Sequence, residues 1–230
     1  MVRRYFLSLL KGIAAAIGRG GDRAKVAAVI ENLVELFRSL GNAPKKEVQG
    51  LWGELLLIHQ AKDAFVLASA WRCQTGDCYD FNSGDERIEV KTTSTRSRQH
   101  RFSYEQLCPP GGTRLVVASI TVQRSGAGVS VFGLLDAIRA KIPKHPQLHL
   151  SMVRQVHETL GKAWQSAKEL GFDLEAAVES LRYFDGAQIP KVLAPLPDGV
   201  SQVSFVADLT NVAPLSHKAL VDAGRLLRSL

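Results

Sequence analysis

Residues 114–122, RLVVASITV, constrain the fold more than any other stretch of the chain. Nearly every position is apolar or β-branched, and the polar alternation of a half-exposed strand is missing. A strand of that composition needs cover on both of its faces, as at the centre of a sheet lying between two layers. The 230 residues are enough to supply those layers. With helical patterns on either side of the strand candidates, the expectation is a compact α/β or α+β domain.

The helical patterns come first. Phe6, Leu9, Leu10, Ile13 and Ile17 recur at helical spacing, and Lys11 interrupts the apolar run that a secretory signal would need. After the breaker Gly18-Arg19-Gly20-Gly21, Asp22 can cap a helix carrying Val26 to Leu40, with Gly41 and Pro44 ending it. A third helix is predicted over about residues 45 to 61, with Leu51, Trp52, Leu55 and Leu56 on its apolar stripe. Strands are expected around Trp71-Arg72-Cys73, Cys78 to Phe81 and Arg87 to Thr93, with a hairpin turn at Asn82-Ser83-Gly84-Asp85. Helices are expected at about 133–141, 151–169 and 172–180, strands at 182–184, 191–193 and 202–206, and a terminal helix from Ser216. This divides the chain into an N-terminal helical segment at 1–44 packed on the core, a main domain at 45–215 and a C-terminal helix at 216–230.

Composition narrows the function. Hydrophobic residues at 46% and charged residues at 22% exclude a disordered or collagen-like chain, and no run approaches the length of a membrane span. Cys73, Cys78 and Cys108 are odd in number and match no zinc spacing, which fits buried thiols in a reducing cytoplasm. Gly111-Gly112 lacks the downstream Lys-Ser/Thr of a phosphate loop, and His145, His149 and His157 have no partners at metal-ligand spacing. Lys plus Arg number 29 against 22 Asp plus Glu, a net charge of +7 that favours polyanions.

The stretch that could carry chemistry is Asp80, the turn, and Glu89-Val90-Lys91. Alternation along a strand projects Glu89 and Lys91 from one face and Ile88 and Val90 from the other. A hairpin turning near Ser83-Gly84 brings Asp80 to the same rim, so two carboxylates and an ammonium converge. Such a pair of carboxylates can neutralise Mg²⁺, with the carbonyl of Val90 facing it, and the ion can polarise a phosphoryl oxygen and help to deprotonate a water. Lys91 would position that water or stabilise charge on the phosphorane. The spacing leaves an ordinary solvated hairpin with cross-strand charge pairs open as the alternative.

Asp80 followed by Glu89-Val90-Lys91 resembles the PD-(D/E)XK nuclease superfamily. Gly53-Glu54-Leu55, Trp71-Arg72, Asp80-Phe81, Glu89-Val90-Lys91-Thr92-Thr93 and Glu105-Gln106-Leu107 occur in the order of its putative-member group. Later segments 188–192 and 199–201 are similar as well, so the resemblance covers roughly residues 45 to 210. It implies an α/β fold with a restriction-endonuclease-like core, a mixed central β-sheet flanked by α-helices, and a Mg²⁺-dependent endonuclease acting on DNA, with Mn²⁺ as substitute metal, in a restriction or phage-defence system. Carried over, Asp80 and Glu89 are the metal carboxylates, Lys91 the catalytic lysine, Glu54 an extra acid reaching the metal through water, and Gln106 a neighbour of the scissile phosphate. Two features depart from the group's pattern: Tyr79 stands where the superfamily's proline would be, and an N-terminal region of longer members is expected to be missing.

Charge agrees with this. Between residues 87 and 101 five basic side chains face one acid, Glu89, a surplus of four. Arg96, Arg98, His100 and Arg101 are therefore expected to bind nucleic-acid phosphates. DNA is the expected partner, with proteins of a modification or defence operon and a second copy of the chain as further candidates, and no membrane. The competing class is a non-catalytic DNA-binding or assembly subunit that keeps the fold; RNA as substrate also stays open.

Overall fold

A computed structural model describes residues 48–72, 77–109, 111–194 and 196–230, together with the helical positions Arg23, Val26, Ala27 and Glu31. The helical pattern expected over 6–17, most of the helix expected at 22–40, and Cys73 lie outside the described residues. The apolar run forms a strand (Arg114–Thr121) at the interior of a four-stranded mixed sheet. It is β4. Its neighbours are β2 (Glu86–Thr93), which runs parallel to it, and β7 (Arg182–Asp185), which runs antiparallel; β1 (Phe81–Ser83) pairs antiparallel with the far side of β2.

Both faces of β4 are covered, and the side-chain alternation sorts its residues between two cores. Val116, Ala118 and Ile120 join Ile88 and Val90 of β2 in the larger core, against α1 (Val48–Gln60), α2 (Ala64–Ala70), α4 (Val131–Lys141) and α5 (Pro146–Leu160). Leu115 and Val117 face the other way, with Phe184 of β7, and are covered by a two-stranded ribbon of β3 (Gln99–Ser103) and β8 (Ser204–Asp208). α1 packs directly on β2. A Cβ at Gly53 would come within 2.4 Å of the Thr92 Cγ2, so only glycine allows this approach.

The expected hairpin forms, with Phe81 opposite Ile88 and Gly84 at φ +55 in the turn, a backbone region that favours glycine. Elsewhere the structure departs from the sequence reading. The single helix expected at 151–169 starts earlier, at Pro146, and breaks at Gly161 into a 3₁₀ turn (Gly161–Ala163) and α6 (Trp164–Ala167). Residues 191–193 form no strand. The terminal helix is two short helices, α8 (His217–Val221) and α9 (Arg225–Arg228), separated at Gly224. Part of the stretch read as a basic loop is β3, and residues 124–130 form β5 (Arg124–Ser130), paired with the short β6 (Gly171–Phe172), which the periodicity did not announce. The helices α3 (Tyr104–Leu107) and α7 (Leu174–Ser180) complete the described elements. No helix among the described residues is long and apolar enough to cross a membrane.

The end of the chain is tied to the start of β2. Glu86, 5% exposed, accepts hydrogen bonds from the backbone N–H groups of Gly224 (2.7 Å), Leu226 (2.9 Å) and Leu227 (3.3 Å). A carboxylate distant in sequence thus serves the first turn of α9, whose N–H groups have no partner within the helix.

Candidate active site

Two clusters assemble at the rim of the β1–β2 hairpin. The first is built from β2 outward. Glu89 and Lys91 leave the strand on the face turned toward the β3–β8 ribbon, and the Lys91 Nζ lies 2.8 Å from the Glu89 Oε1. The ammonium stands over the Phe102 ring, 4.9 Å from its centroid, where the ring's negative face favours a cation. Gln106 locks the pair. Its Nε2 donates to the Glu89 Oε1 at 2.8 Å and to the Cys78 carbonyl at 3.3 Å, while its Oε1 accepts from the Lys91 Nζ at 3.2 Å.

Gln106 is fixed by its own helix. Ser103 and Gln106 form a reciprocal capping box at the start of α3, with the Ser103 N–H donating to the Gln106 Oε1. The S-Y-E-Q spacing signals that cap in the sequence. The expected neighbour of the phosphate is, in the structure, the residue that orients Glu89 and Lys91.

The second cluster joins the helix layer to the hairpin. Asp80 directly precedes β1, and its Oδ2 accepts the Val90 N–H at 2.8 Å, which puts the carboxylate on the peptide group linking Glu89 to Val90. In an extended strand the N–H and C=O of one residue leave on the same side, so the Val90 carbonyl faces the edge that Asp80 occupies. Asp80 is also held from behind. The Arg72 Nη2 donates to the Asp80 Oδ1 at 3.0 Å and to the Glu54 Oε1 at 3.0 Å, and the Arg72 Nε donates to the Glu54 Oε2 at 2.9 Å. The Trp71 Nε1 adds a bond to the same Glu54 oxygen at 2.8 Å.

Glu54 is fully buried, placed by Gly53 letting α1 close on β2. Its carboxylate takes donors from Trp71 and Arg72 and meets Asp80 through the guanidinium. The resemblance implies that Glu54 reaches the metal of Asp80 and Glu89 through water; the structure instead puts it on the helix face of the sheet and Glu89 on the opposite one. Arg72 is the residue the spacing argument missed. Its backbone sits at φ 44 and its N–H donates to the Asp80 carbonyl at 2.9 Å. A non-glycine residue held in the left-handed region costs roughly 1 kcal/mol or more, and such positions cluster at functional sites.

The basic segment divides. Arg96 and Arg101 are exposed, with the Arg101 Nη1 donating to the Ser204 Oγ at 3.1 Å. Arg98 and His100, expected to meet phosphates, turn inward to Ser119 on β4. The Arg98 Nη1 donates to the Ser119 carbonyl and hydroxyl at 2.9 and 2.8 Å, its Nη2 donates to the Ser180 carbonyl, and the His100 Nε2 lies 2.8 Å from the Ser119 Oγ. The alternation along β3 explains this correction, since His100 and Phe102 take the covered side and Gln99 and Arg101 the outer one. Burial first, then the Lys91 and Arg98 charges, pushes the His100 pKa down to about 4. Next to Glu89, burial and then the carboxylates of Glu89 and Glu105 raise the Cys78 thiol, and Tyr79 is raised as well, chiefly by burial.

Among the described residues no three His, Cys, Asp or Glu side chains gather as a ready cation site. The donors at the rim are nonetheless carboxylate and carbonyl oxygens, the chemistry a hard divalent cation prefers, and Asp80, Glu89 and the Val90 carbonyl are the groups that could hold one.

A family model described as "Putative PD-(D/E)XK family member" matches residues 2–210. No curated protein and no solved structure matches the chain.

Proposed function

The chain belongs to the putative PD-(D/E)XK family, and from that membership we propose that it is a divalent-metal-dependent endonuclease acting on DNA. The observation that supports the reading most is the convergence of Asp80 on the Glu89–Val90 peptide, with Lys91 paired to Glu89. We propose further that it works in the cytoplasm within a restriction or phage-defence system, alongside proteins of the same operon.

Asp80, Glu89 and the Val90 carbonyl would hold Mg²⁺ or Mn²⁺. Such a cation, when bound, polarises a phosphoryl oxygen and lowers the pKa of a coordinated water. The side chains do the rest. Gln106 keeps the Glu89 and Lys91 head groups together, so the ammonium stays at the rim, where charge develops on the phosphate during attack. Arg72 and the Val90 N–H fix the two oxygens of Asp80, and Glu54 holds Arg72 in turn. Arg96 and Arg101 are exposed near the same segment and would meet the DNA backbone. The test is nicking of plasmid DNA in Mg²⁺. Lys91→Ala and Asp80→Ala are expected to abolish it, and equal nicking by wild type and both variants would sink the assignment.

One observation favours a second reading. Both carboxylate groups are paired with cations of the protein, Asp80 with Arg72 and Glu89 with Lys91, as in a subunit that keeps the fold to bind DNA without cutting it. Calorimetry with Mn²⁺ separates the two: uptake that depends on Asp80 and Glu89 supports the enzyme, and its absence supports the binding subunit.

A further inference from the structure

Beside the carboxylates lies a cleft of about 250 Å³ between α2 and α5. Ser69, Trp71 and Arg72 line one wall, and Ser151, Arg154 and Gln155 the other. The last three are spaced i, i+3 and i+4 on α5 and so share one face of that helix. Among the described residues no carboxylate lines the cleft. Two guanidiniums, two hydroxyls and a carboxamide against the apolar wall of Trp71 form a donor-rich surface of the kind that takes phosphate and sugar without reading bases.

Arg72 belongs to both sites. Three of its five N–H groups serve Glu54 and Asp80, and no hydrogen bond among the described residues uses the pair on Nη1. The side chain keeps 24% of its surface exposed, so the guanidinium shows one edge to the carboxylates and has donors left for the cleft. The Arg154 side chain is 35% exposed, and its Nε lies 3.7 Å from the Glu158 Oε1 one turn further along α5. The Ser151 hydroxyl donates to the Leu148 carbonyl at 3.0 Å, a bond that rotation can exchange for a phosphate oxygen.

We propose that this cleft seats the phosphate backbone of the DNA strand next to the scissile position, with Arg154 and the Nη1 edge of Arg72 as its phosphate donors. The inference rests on the reading of Asp80 and Glu89 as the reactive centre. A phosphate on Nη1 is separated from the Asp80 carboxylate by one guanidinium group, so the strand is registered against the centre by a single rigid planar unit.

Arg154→Gln and Arg154→Glu test the proposal, with binding to a fluorescein-labelled mixed-sequence DNA duplex followed by anisotropy in EDTA over a salt series. Arg154→Gln is expected to weaken binding and to make the slope of log K against log[salt] shallower by about 0.9, one phosphate contact. Arg154→Glu is expected to weaken it further. Mn²⁺ binding by calorimetry should stay as in wild type for both. Wild-type affinity and slope in both variants would overturn the proposal. Wild-type protein that takes up no Mn²⁺ through Asp80 and Glu89 would instead overturn the reactive-centre reading, leaving the salt slope to judge the cleft by itself.

Discussion

Replacing Arg72 by Met removes the guanidinium that joins Glu54 to Asp80 while keeping most of the side-chain volume. Glu54 is fully buried and loses two of the three donors described for it, and Asp80, 5% exposed, loses one. Deleting one partner of a buried ion pair costs about 3–5 kcal/mol, because the remaining charge stays away from water. Arg72 is 24% exposed, so water can partly replace it, and the lower end, about 3 kcal/mol, is expected. Glu54→Gln keeps the shape and a carbonyl acceptor, and should cost only about 1–2 kcal/mol. With Glu54→Gln in place, Arg72→Met leaves less charge stranded, so the double variant should be more stable than the two single costs predict. Urea unfolding followed by tryptophan fluorescence and circular dichroism measures all four corners of the cycle. Additive costs, with a coupling near zero, would refute the claim that the guanidinium holds the buried carboxylate.

Three further outcomes are expected. Gly53→Ala gains helix propensity but drives a methyl to 2.4 Å from the Thr92 Cγ2, so it should destabilise by about 1–3 kcal/mol. Adding Thr92→Ser should recover most of that loss in the same urea assay; if it recovers none, the clash is not the cause. Glu86→Gln weakens three bonds to the N-terminus of α9 and should cost about 1.5–3 kcal/mol. Hydrogen exchange at Gly224, Leu226 and Leu227 should quicken, and unchanged protection there would contradict the tether. Acidification is the last. His100 and His157 are both lowered from 6.5 to about 4, chiefly by burial, so the unfolded chain takes up their protons first. The contribution of these two histidines should be constant above pH 7, fall from about pH 6.5 toward 4 by up to about 3 kcal/mol for each group, and level off below. A urea midpoint that stays constant between pH 7 and 5 would show these histidines to be accessible to solvent.

The parts of the site that were legible in the sequence are those governed by one element's own geometry. Alternation along 87–93 put Glu89 and Lys91 on one face, and the turn residues at 82–85 placed Asp80 beside them. The basic stretch is not one patch. Alternation resumes in β3, so Arg98, just before that strand, and His100 within it serve Ser119, while Arg96 and Arg101 remain outside. Gln106 carried a readable capping signal whose consequence for Glu89 depended on where α3 lands. Arg72 carried no signal in spacing or periodicity.

By itself the sequence determined that RLVVASITV must be sheathed on both faces, that a hairpin carries two acids and a lysine, and that a helix bearing Gly53 precedes it. These follow from local periodicity and turn chemistry, which act over a few residues. Only the tertiary structure decided that α1 lies on one face of β2 and the β3–β8 ribbon on the other. It therefore also decided that Glu54 meets Asp80 through Arg72, and that Glu89 is bound to Lys91 and Gln106 on the opposite face. A pattern along a chain fixes which way a side chain leaves its own element. Which charge it meets depends on how separate elements pack, and in a buried site the meeting is what sets the chemistry.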